Sequence, residues 1–110
     1  MTRATAISVL FLAALLEAGG DALVRFGLRS GVTWQRGGFF ALGAAVLFAY
    51  GFAVNRPPWD FGRLLGLYVV FFFVVAQAIS WVAFQQTPSP QVWLGGALIV
   101  AGGAVIAFAG

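Results

Sequence analysis

The chain has 110 residues, 62% of them apolar, and its charge is confined to six arginines, two aspartates and one glutamate. Soluble domains carry about 25% charged residues, and a chain with 8% cannot cover a water-facing surface. That excludes a soluble globular domain, a disordered tail and a nucleic-acid binder, and leaves an integral membrane protein. With no Cys and no His, disulfide, thiolate, haem and imidazole-metal chemistry is excluded. Three carboxylates at 17, 21 and 60 do not form a hydrolytic pair, so neither an enzyme nor a cofactor or metal site is expected. The calculated pI near 10.7 reflects arginines that flank apolar segments at the level of lipid head groups.

Four apolar runs follow in chain order, roughly 4–24, 38–54, 64–84 and 92–109. Each is near the ~20 residues that cross a hydrocarbon core of about 30 Å. Continuous runs without period-2 alternation read as helices and not as a small β-barrel. The first run holds Glu17 and Asp21, lacks a cleavage site and precedes three similar runs, so it reads as a helix and not a signal peptide. Arg25, Arg29, Arg36 and Gly37-Gly38 mark the first break, and Asn55 through Arg63 the second. The third break is Gln85 to Pro90, where Pro88 and Pro90 cannot continue a helix. The expectation is one all-α domain of four transmembrane helices, residues 1–110, with both termini on one side.

Arg3, Arg56 and Arg63 then fall on one side of the membrane, and Arg25, Arg29 and Arg36 on the other. An imbalance of such charges orients a membrane protein, and here there is none, so dual topology is the expectation. Four short helices enclose little on their own, which points to a second copy. Gly95-Gly96 and Gly102-Gly103 lie seven residues apart on the fourth helix. Small faces of this kind drive helix association in lipid, and these four glycines are the candidate dimer interface, with packing inside one copy as the competing use.

Glu17 lies mid-way along the first run, about 21 Å from Arg3 at 1.5 Å per residue. An ionised carboxylate there is costly unless it is paired or faces water. A second Glu17 from a partner copy would repel it, and such a pair titrates as a unit. The site therefore suits a proton or a cation. Asp21, one turn on, is i,i+4 to Arg25; it is either a local ion pair or a second ligand. Tyr50, Tyr68 and Trp81 carry polar handles within apolar helices, and an aromatic face near Glu17 suits an organic cation. Gln77 and Ser80 either line the path or bond neighbouring helices, while Trp34, Trp59 and Trp93 fit interface belts.

Glu17 through Phe26, Glu-Ala-Gly-Gly-Asp-Ala-Leu-Val-Arg-Phe, resembles the first-helix signature of the small multidrug resistance family. Ser80-Trp81 and the Gly95–Gly102 stretch are similar to that family's third- and fourth-helix motifs. The resemblance implies an antiparallel homodimer in a bacterial inner membrane that exchanges protons for small organic cations, with Glu17 used once from each copy. At the third helix the sequence departs from the pattern. Leu65, Tyr68, Val70 and Phe72 stand where the family has a binding Tyr, a Trp and a Gly-x-Gly kink. A heterodimer, a flippase-type subunit for a lipid-linked substrate and a non-transporting assembly protein are the alternatives.

Overall fold

Short polar residues and prolines set the helix ends. In the computed structural model, which describes residues 1–108, the chain forms α1 (Arg3–Arg29), α2 (Thr33–Val54), α3 (Phe61–Phe84) and α4 (Pro90–Phe108). Thr2 caps α1 by accepting from the Thr5 amide at 3.1 Å, and Ser89 accepts from the Val92 amide at 3.3 Å ahead of Pro90. Proline suits that first position because its missing N–H has no helical partner there. Asn55 closes α2 with its amide on the Gly51 carbonyl at 2.8 Å. Gln85 ends α3 in the left-handed region, φ 53°, with its N–H on the Ser80 and Trp81 carbonyls.

All four helices are long and apolar enough to cross a membrane. At the first break the structure differs from the sequence expectation. Arg25 and Arg29 lie inside α1, while Arg36 and Gly37-Gly38 lie inside α2, so the loop shrinks to residues 30–32. Arginine is a good helix former, and its long stem reaches the head groups from within a helix. The expected end of the fourth helix, residue 109, lies outside the described residues.

Helix association in hydrocarbon depends on close backbone approach, and the small residues are placed accordingly. α1 is the spine. Its buried stripe, Ala6, Leu10, Ala13, Ala14 and Ala18, recurs at helical spacing, and from Leu10 onward it meets Val54, Leu64, Tyr68 and Val75 in one cluster. Towards α2 the contact is built on glycine. A Cβ on Gly20 would stand 2.7 Å from Leu47, one on Gly27 would stand 2.6 Å from Phe40, and one on Gly43 would stand 2.9 Å from Val24. Among the described residues, the backbone of α2 comes close to α1 alone and that of α4 to α3 alone, while α2 side chains such as Tyr50 reach Tyr68 of α3. The helices thus form an open row, α2–α1–α3–α4, within an envelope of 51 × 34 × 19 Å.

The fourth-helix glycines do not act as one stripe. Gly96 and Gly103 are buried against Phe73 and Val70 of α3, whereas nothing lies within 4 Å of a Cβ built on Gly95 or Gly102. Adjacent helical residues point about 100° apart, so each pair of neighbours divides between two faces. Gly96 and Gly103 are therefore taken up inside the protomer. We expect Gly103→Val to destabilise the protein by about 1–3 kcal/mol, the usual cost of overpacking, and Gly102→Val to leave the protomer's stability unchanged. Thermal unfolding in detergent, followed by circular dichroism, checks both.

Candidate functional site

Three helices converge on one carboxylate. Glu17 sits near the middle of α1, twelve residues before its end at Arg29, or about 18 Å along the axis. Tyr50 comes from the last turns of α2, and Tyr68 from the second turn of α3. The buried Tyr68 hydroxyl donates to Glu17 Oε1 at 2.9 Å. Tyr50 faces the same carboxylate from α2. Its ring lies 5.7 Å from that of Tyr68, a spacing typical of attractive aromatic pairs. Phe72, one turn along α3, closes the stack at 6.3 Å from Tyr68.

A carboxylate in hydrocarbon costs about 2.5–3.5 kcal/mol even on the mildest scale, and a hydrogen bond to a charged group returns about 1.5–3 kcal/mol. Tyr68 therefore supplies much of the stabilisation that Glu17 needs at that depth. No guanidinium stands beside Glu17 among the described residues. A carboxylate held by neutral hydroxyls keeps a charge to offer to a proton or a cation.

Asp21 and Arg25 do not form the ion pair that their spacing allows. Asp21 is exposed and has no charged partner among the described residues, and the Arg25 guanidinium lies over the Phe84 ring at 5.3 Å. The cation–π contact satisfies Arg25 at the membrane boundary and leaves Asp21 on the wall of a groove. That groove, of about 150 Å³, runs between α1 and α3 and includes Ser80, Phe84 and Gln86. Phe84 and Gln86 are residues that the sequence reading missed; a ring twelve residues past Phe72 carries no local signal of the arginine it meets.

Gln77 and Trp81 do not join Glu17. They lie nine and thirteen residues beyond Tyr68 on α3, about 14 and 20 Å further along its axis. Trp81 is 63% exposed, as an interface tryptophan would be. Its polar handle suggested a place in the site, but helix length carries it to the opposite end of the protomer. The site that the structure assembles is Glu17, Tyr50, Tyr68 and Phe72, with Asp21 one turn away.

No solved structure and no family model matches the chain. Its relatives are small membrane proteins of similar length. It is 38% identical to a UPF0060 membrane protein of Arthrobacter sp. (strain FB24) over 112 residues, covering 99% of the chain and 96% of that relative. With the UPF0060 membrane protein YfjF of Bacillus subtilis the identity is 35% over 103 residues, 92% of each. With a Streptomyces coelicolor relative of the same name it is 41%, covering 88% of the chain and 85% of the relative. Four membrane-length helices and this near full-length similarity lead to one conclusion: the chain belongs to the UPF0060 family of membrane proteins.

Proposed function

We propose that the protein is a proton-coupled antiporter of small organic cations in a bacterial inner membrane, working as an antiparallel homodimer. The observation that carries this reading is the Glu17–Tyr68 hydrogen bond at 2.9 Å, made to a mid-helix carboxylate with no guanidinium partner among the described residues. Such a carboxylate gives up its proton when a cation arrives and takes one back when the cation leaves. Tyr50 and Tyr68 offer ring faces to an organic cation beside that charge. An open row of helices does not surround a solute pathway, and a second copy completes one. Inverted insertion of that copy accords with the even division of arginines between the two sides and creates the two-fold in the membrane plane on which alternating access is built. The open Gly95–Gly102 face of α4 is the surface on which the copies meet.

Four outcomes are expected. In proteoliposomes, tetraphenylphosphonium added to the wild type releases protons, and Glu17→Gln abolishes the release; undiminished transport by that variant would end the proposal. Tyr68→Phe lowers initial uptake about tenfold or more, the loss of one hydrogen bond to a charged group, while helix content stays constant by circular dichroism. C-terminal reporter tags in cells register in both compartments, and Gly102→Leu converts the dimer to a monomer in detergent. Tags confined to one compartment would contradict the antiparallel arrangement, and a requirement for a different chain would favour a heteromeric, flippase-type subunit.

A further inference from the structure

The six arginines are not used alike. Arg25, Arg36 and Arg56 place their guanidiniums over Phe84, Phe40 and Phe52, at 5.3, 6.0 and 5.7 Å. Arg3 and Arg63 have no such ring among the described residues; both line a groove of about 570 Å³ at the opposite end of the protomer from Arg25. The groove exists because α4 packs on α3 and not on α1, so the first turn of α1 and the last turn of α4 stand apart. Its walls are polar at the helix ends and apolar below. Arg3, Arg63 and Asp60 lie at the mouth, and Ile7, Leu67 and Phe71 lie one to three turns further in. Trp59 at the rim packs against the core cluster, the position of an interfacial anchor at head-group depth.

We propose that this groove seats one anionic phospholipid, its phosphate between Arg3 and Arg63 and an acyl chain along Ile7, Leu67 and Phe71. Among the described side chains, two guanidiniums against one carboxylate give the mouth a net charge of +1, complementary to a head group of charge −1. Arg63 donates one N–H to the Ala107 carbonyl at 3.3 Å, which fixes it against the end of α4. A guanidinium has five such donors, so it retains a fork for phosphate oxygens. The volume falls within the range of binding clefts for small molecules, about 300–1,000 Å³.

Native mass spectrometry of the full chain, purified in detergent and offered phosphatidylglycerol or phosphatidylcholine, tests this. The wild type is expected to retain one phosphatidylglycerol at least about fivefold better than phosphatidylcholine. Arg3→Gln and Arg63→Gln each lower that retention about fivefold, Arg63→Lys preserves part of it, and Asp60→Asn raises it. Arg56→Gln, which touches an interfacial arginine outside the groove, leaves it unchanged. Equal retention of the two lipids overturns the proposal, as does undiminished phosphatidylglycerol retention by both glutamine variants with native helix content. Weaker retention by Asp60→Asn overturns it too, because the carboxylate would then be reading a cationic head group.

Discussion

Helices in hydrocarbon gain nothing by turning leucine towards leucine, since lipid tails are as apolar as the side chains. They hold together where backbones come close, and in this protein the alanines and glycines of α1 make that approach possible. Ala13, Ala14 and Ala18 are among the buried residues towards the core cluster, and Gly20 and Gly27 admit Leu47 and Phe40 of α2. With larger residues there, α2 and α3 would stand further from α1. Neither tyrosine would then reach the carboxylate in the middle of α1. The geometry of Glu17 thus follows from side chains that have no chemistry of their own.

Much of this is visible in the sequence, for reasons that can be named. Four uninterrupted apolar runs leave no other solution than spanning helices, and Glu17 stands out because the residues around it offer no local cation. Other features depend on which faces meet, and one sequence does not contain that directly. Arg25 is i,i+4 to Asp21, and the pair looks sufficient on paper; the Phe84 ring on another helix competes for the same guanidinium. Trp81 and Gln77 share with Tyr68 a polar handle in an apolar helix, yet the rise of α3 carries them about 20 and 14 Å beyond it. Gly95-Gly96 and Gly102-Gly103 read as one small-residue signal and are divided between two surfaces.

The electrostatic layout has the same economy. Most charges lie at helix ends, where Arg25, Arg36 and Arg56 stack on phenylalanine rings and Arg3 and Arg63 line the mouth of the larger groove. One acid is set deep, in contact with hydroxyls. Among the described residues, no ion pair beside Glu17 competes for it.

The divided glycines of α4 have a mechanical consequence. Turning that helix about its own axis by one residue, about 100°, would bring Gly95 and Gly102 to where Gly96 and Gly103 now stand, with almost the same smooth profile facing α3. The glycines alone do not choose between these two rotational settings. The choice falls to Ile106, whose Cδ1 occupies the notch left by Gly66, 2.8 Å from where a Cβ would be. One isoleucine seated against one glycine acts as a key on a shaft that would otherwise turn, and it decides which edge of α4 is presented to the bilayer.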